Sequence, residues 1–109
     1  MISIRIKGKA GRIEGFMVWG HSGHAPGGED IVCAGVSAIC TTALAGLAEL
    51  LPGNIRFCVL PDGLMYCRLY GEMSETGERD SQLILRVMLR GLELIRDSYK
   101  EYIDLTIGG

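Results

Sequence analysis

The sequence predicts an α+β fold with the element order ββαββαβ, two helices packing on one face of a mainly antiparallel sheet. Three observations carry this expectation. Ile2, Ile4 and Ile6 alternate with Ser3, Arg5 and Lys7, the period of a half-buried strand. Residues 31–51 and 80–100 repeat apolar or polar side chains every three or four positions, the period of a helix. The short apolar runs around them are bounded by Gly, Pro, Asn and Asp, as strands joined by turns are.

Each element follows from its own residues. Gly8-Lys9-Ala10-Gly11 supplies a turn after the first strand, and residues 12–19 return as the second. A glycine-rich loop occupies 20–29. In the first helix, Val36, Ile39, Cys40, Ala43, Leu44, Leu47, Ala48 and Leu51 form one stripe. The alanines and glycines elsewhere on it allow close approach to a sheet. Pro52-Gly53-Asn54 stops this helix, and strands at 55–60 and 64–70 flank the turn Pro61-Asp62-Gly63. Residues 71–78 read as a polar connection. The second helix places Gln82, Arg86, Arg90, Glu93, Asp97 and Lys100 on a solvated face. Leu83, Ile84, Val87, Met88, Leu92 and Ile95 are then available for packing. Residues 102–107 close as a final strand.

Composition narrows the functional classes. A chain of 109 residues is expected to form one domain, 1–109, burying roughly 65% of its unfolded surface. Net charge is −2 with Lys and Arg scattered, so no basic footprint predicts direct nucleic-acid binding. Met1 leads into a strand rather than a secretory signal, which predicts a cytosolic protein with reduced thiols. Cys40, Cys58 and Cys67 lie in apolar runs and read as core filler. Residues 31–48 carry no charge, the length of a short membrane span. Ser37, Thr41, Thr42, acidic flanks and the lack of Lys or Arg anchors favour a helix buried on most sides of a soluble domain.

Chemistry concentrates in GHSGHAPGGEDIVCAGVSAIC, Gly20 to Cys40. Asp30 is placed as a helix N-cap, which puts Cys33 in the first turn, where the helix dipole favours an anion. An imidazole folding back onto that thiol would make it a thiolate nucleophile. His21 and His24 both lie within twelve residues of Cys33, and chemistry alone leaves the choice open. Asp30 either caps the helix or orients the histidine. Ser37, one turn beyond Cys33, either back-bonds to the helix or hydrogen-bonds near the thiol. Gly20, Ser22, Gly23, His24, Gly27 and Gly28 form a substrate loop expected to close over Cys33 when peptide binds. His21, His24, Asp30 and Cys33 could supply four zinc ligands, but the spacing fits no common template and no metal or cofactor is expected. A phosphate cradle is disfavoured, because no Lys or Arg lies between Gly20 and Ala48. Phe16 and Trp19 read as core, with Trp19 alternatively lining a substrate groove.

Gly20-His21 followed by Asp30-Ile31-Val32-Cys33-Ala34 and Ser37, between a hairpin and a helix, resembles the Prp family of ribosomal-processing cysteine proteases. The sequence departs from that pattern at Ser22, where alanine is usual, and at Glu29, where histidine is often found. The resemblance implies that His21 is the catalytic histidine and Cys33 the catalytic cysteine. It also implies a homodimeric bacterial endopeptidase that removes a short N-terminal extension from the precursor of a large-subunit ribosomal protein, the twenty-seventh of its series. A cytosolic endopeptidase with a Cys33/His21 dyad, its oxyanion held by helix N-terminal amides, is the resulting expectation. The alternative is a non-catalytic ribosome-associated binding module of the same fold.

Overall fold

A computed structural model describes the backbone at residues 1–20 and 27–109, and the side chains at 1–20 and 30–109. Ile2–Lys9 (β1) and Arg12–Trp19 (β2) form an antiparallel hairpin. Ile2, Ile4 and Ile6 are fully buried, while Arg5 and Lys7 point to the opposite, open side. The turn is tighter than the sequence suggested. Only Ala10 and Gly11 lie between the strands, at φ 54° and 81°. Two successive left-handed residues match the twist of the flanking strands, so Gly8 and Lys9 stay in β1.

β2 contains one extra residue. Lys7 faces Gly15 and Gly8 faces Ile13, leaving Glu14 without a partner in a β-bulge. The bulge rephases the strand, so that Ile13 joins Phe16 and Val18 in the core. Gln82 fastens this point to the second helix. Its side-chain amide accepts from the Ile13 N–H and donates to the Ile13 carbonyl, both at 2.8 Å. Next to it, Arg12 and Glu78 form a two-pronged ion pair, with Arg12 Nη2 to Glu78 Oε2 at 3.0 Å. Gln82 is therefore half-buried rather than part of a solvated face.

The first helix, Gly27–Leu50 (α1), begins four residues before the expected start. Val32, Val36, Cys40, Ala43, Leu44 and Leu47 form its buried stripe. The helix is long and apolar enough to cross a membrane, yet only 33% of that stretch is buried. Burial is thus one-sided rather than on most sides, because Ala34, Ala38, Thr41, Thr42 and Ala45 expose little apolar area. The Pro52–Asn54 turn leads into Ile55–Val59 (β3), which pairs antiparallel with Met65–Leu69 (β4).

The second helix, Glu75–Ser98 (α2), also starts early, taking residues expected in a connection. The Ser74 hydroxyl accepts from the Gly77 N–H at 3.0 Å, and Glu75 and Glu78 complement the dipole of the first turn. Ser81, Leu85, Met88 and Leu92 face the core. Leu83 and Val87, expected to pack, are 62% and 68% exposed, because the buried face is centred on Leu85, two residues from each and so on the opposite side of the helix. The small residues of the helices serve helix–helix contact rather than a helix–sheet approach. A Cβ at Gly35 would lie 3.2 Å from Ile95 Cδ1, and one at Gly91 3.0 Å from Ile39 Cδ1.

After the short turn Lys100–Tyr102, Ile103–Gly108 (β5) pairs parallel to β1. The sheet order is β3-β4-β2-β1-β5, mostly antiparallel, with both helices packed on it. β3 is an edge strand, and only Ile55 of it is buried. Cys58, expected as core filler, is exposed there.

At Gly15, β2 and β4 run close together. A Cβ would sit 2.4 Å from the Cys67 carbonyl oxygen and 3.0 Å from Arg68 Cα. Gly15→Ala should therefore cost about 1–3 kcal/mol and lower the urea midpoint at unchanged m. Gly53→Ala, with nothing within 4 Å, should leave the midpoint nearly unmoved. Equal midpoints for the two variants would contradict this account of the β2–β4 contact.

Candidate active site

The segment expected to hold the site is anchored on both sides by the fold. β2 ends at Trp19, and Gly20 follows with φ 97°. A Cβ on Gly20 would lie 2.5 Å from the Met1 carbonyl oxygen, so only glycine fits this exit from the sheet. The chain re-enters the described residues at Gly27, the first residue of α1. His21, Ser22, Gly23 and His24 lie outside the described residues, and so does closure of the substrate loop. Gly27 and Gly28 are helical rather than part of a loop.

The early start of α1 changes two expected roles. Asp30 is the fourth helical residue and exposed, so it is not the N-cap. Its carboxylate instead stands in the first turn, where the helix dipole stabilises an anion. Cys33 is the seventh residue and lies in the second turn, not the first. The physical reason is cooperativity: once a helix is nucleated, each added residue gains a hydrogen bond for two fixed dihedrals. The N–H groups without an intrahelical partner belong to the first turn, one turn before the thiol. The dipole falls off within that turn, so its pull on Cys33 is weaker than a first-turn placement gives.

Cys33 is half-buried and packs against the core between the fully buried Val32 and Val36. Ser37 is half-buried four residues later, on the same side of the helix. The other cysteines have distinct settings. Burial pushes the Cys40 thiol up to about 12 and the Cys67 thiol up to about 11, keeping both protonated. Cys58 is exposed on β3. Its position was legible: it shares strand parity with Arg56, on the open side of the sheet. Phe16 is core, as expected, whereas Trp19 is half-buried on the open face, opposite Ser3. Among the described residues, no three of His, Cys, Asp and Glu cluster as a metal site; the zinc alternative drew on both histidines, outside them.

The family model described as cysteine protease Prp matches residues 1–104. The ribosomal processing cysteine protease Prp of Staphylococcus aureus (strain Mu50 / ATCC 700699) is 34% identical over 99 residues, covering 88% of each chain. The crystal structure of S. aureus Prp in complex with a substrate peptide superposes with a TM-score of 0.83 at 28% identity, covering 98% of this chain and 99% of that one. The same protease with a covalently linked product peptide gives 0.80 at 29% identity and the same coverage. The chain is a cysteine protease, and it belongs to the Prp family.

These thiol environments predict a labelling pattern. Native protein treated with iodoacetamide at pH 8 should be modified at Cys33 and Cys58, while Cys40 and Cys67 react only after unfolding. Peptide mapping by mass spectrometry reads this directly, and native labelling of Cys40 would contradict the described core. The same two thiols bear on alkaline stability. Their folded values lie above the ordinary thiol value of about 8.5, so the unfolded chain loses these protons first. Stability should fall as pH rises from 9 towards 12, and a Cys40→Ala/Cys67→Ala variant should show a flatter decline.

Proposed function

We propose that this chain is a cytoplasmic, homodimeric endopeptidase that removes the N-terminal extension of a large-subunit ribosomal protein precursor, the twenty-seventh of its series, through a Cys33/His21 dyad. The observation that carries the reading is the setting of Cys33. It combines partial exposure with a fixed backbone near the start of α1, in a chain matched by a cysteine protease family. Cys40 and Cys67 are disfavoured by burial that holds them protonated. The substrate class is supported by the S. aureus relative, named for ribosomal processing and solved with a substrate peptide.

The chemistry runs in two halves. His21 takes the proton from Cys33 Sγ, and the thiolate attacks the scissile carbonyl to form a tetrahedral intermediate. The unpaired N–H groups of the first turn of α1 are candidate oxyanion donors. Collapse expels the leaving amine, which receives the proton from His21, and leaves a thioester on Cys33. Water, deprotonated by His21, then hydrolyses the thioester and restores thiol and imidazole. The S. aureus protease with a covalently linked product peptide supports a covalent route. Since the helix dipole acts weakly one turn in, most of the activation of Cys33 falls to the imidazole.

The experiment is incubation with the extended precursor followed by intact-mass analysis. Loss of one N-terminal fragment is expected, and an unchanged mass would contradict the substrate assignment. Cys33→Ala should remove cleavage while leaving the urea midpoint close to that of the parent; full activity in this variant would end the nucleophile assignment. His21→Ala should lower kcat by about 10²–10⁴-fold, the scale of general-base loss. His24→Ala should act mainly on KM, and equal kcat losses in the two histidine variants would contradict the choice of His21.

A further inference from the structure

Away from the helices, the sheet presents a broad open face whose composition differs from that of the rest of the protein. Strand pairing places Lys7, Gly15, Arg68 and Arg56 in one row across β1, β2, β4 and β3. The neighbouring row holds Arg5, Met17 and Tyr66, and the next one Trp19. The four cations are exposed and the rings half-exposed. At about 4.8 Å between strands, the first row carries three cations over about 14 Å, with a gap at Gly15. Between Arg5, Lys7, Met17, Tyr66 and Arg68 lies a depression of about 160 Å³.

Two features show that this charge lacks compensation. Among the described residues, none of Arg5, Lys7, Arg56 and Arg68 is in a salt bridge. Arg12 at the end of the hairpin, and Arg79, Arg90 and Arg96 on α2, each pair with a carboxylate. Arg56 also stands directly opposite Arg68, a like-charged cross-strand pair that destabilises a sheet. The cations lean instead on rings: the Arg56 guanidinium lies 4.5 Å from the centre of Tyr70, and that of Arg5 5.9 Å from the centre of Trp19. Asp104 on β5 is a carboxylate that the register places on this face, and the unpaired bulge residue Glu14 lies beside Gly15 on β2.

We propose that the open face of the sheet binds a single-stranded RNA segment, its phosphates running along the Lys7–Arg68–Arg56 row and its bases stacking on Tyr66 and Trp19. An anion along that row removes the like-charge repulsion. An antiparallel sheet face with half-exposed rings is a physical platform for splayed bases, each stack independent of base identity. The net charge of −2 hid this surface, because basic residues separated in sequence meet only when the strands pair. The choice of RNA over DNA rests on the proposed ribosomal substrate; the surface itself does not.

The test uses the full chain and a short, mixed-sequence single-stranded RNA. Trp19 is the only tryptophan, so its emission reports stacking at this face. Binding should quench it, and log K should fall against log salt with a slope of about −2 to −3, for three or four phosphates at about −0.7 each. Lys7→Glu/Arg68→Glu should weaken binding at least tenfold and flatten the slope, with circular dichroism and precursor cleavage retained. Lys7→Gln/Arg68→Gln serves if the charge reversal fails to fold. Arg86→Glu/Arg90→Glu, on α2, should bind like the parent. Absence of quenching at low salt, or equal weakening by the α2 pair, overturns the proposal. So does capture of anionic vesicles or an acidic peptide that RNA cannot displace, since that assigns the face to a membrane or protein partner. Precursor cleavage is read separately, so failure of RNA binding leaves the protease reading intact.

Discussion

The seating of α1 on the sheet is the contact on which the rest depends. Val32 and Val36 are 1% and 0% exposed, and they seat the start of the helix in the core that also holds the isoleucines of β1. Cys33 lies between them in sequence, so its direction is set by two side chains with no freedom to turn. A nucleophile must meet its base within hydrogen-bond reach, and a helix held by apolar packing supplies one half of that geometry without ordering cost on binding. In the proposed dyad the base follows Gly20, where a backbone contact with Met1 admits no side chain at the exit from the sheet.

Packing along the flank of α1 explains how a small domain holds such a helix rigidly. Glycines at 35, 46 and 91 let isoleucines of the facing helix sit close to the backbone. α2 in turn is fastened to the β-bulge by the Gln82 amide and the Arg12–Glu78 pair. In this ion pair the arginine hydrogen bond holds the Glu78 carboxyl below its ordinary range. Both partners are well exposed, so solvent screening leaves it a modest contributor beside the apolar contacts.

Most of the architecture was legible from period alone: the alternating isoleucines of β1 and the helical stripe from Val36 to Leu51 needed no tertiary information. What failed did so for identifiable reasons. Helix starts depend on capping and cooperativity, so Asp30 read as a cap although the helix extends back to Gly27, and Ser74 as the true cap of α2 was passed over. Leu83 and Val87 were assigned to packing because periodicity gives a face without saying how wide a neighbour covers it. Gln82 was assigned to solvent because nothing local announces the bulge at Glu14 that it satisfies. The open-face cations were invisible for the same reason: register is a property of paired strands, not of one strand. Cys33 is the proposed nucleophile on its motif, whereas its second-turn placement, which weakens the dipole, needed the structure.

That placement gives the account its sharpest test: the pH dependence of Cys33 alkylation, followed at this residue by mass spectrometry in the parent and in His21→Ala. With the imidazole as the main activator, Cys33 in the parent should react as a thiolate well below the ordinary thiol value of about 8.5, and His21→Ala should move the titration up to about that value. Identical titrations in the two proteins would contradict the Cys33/His21 dyad.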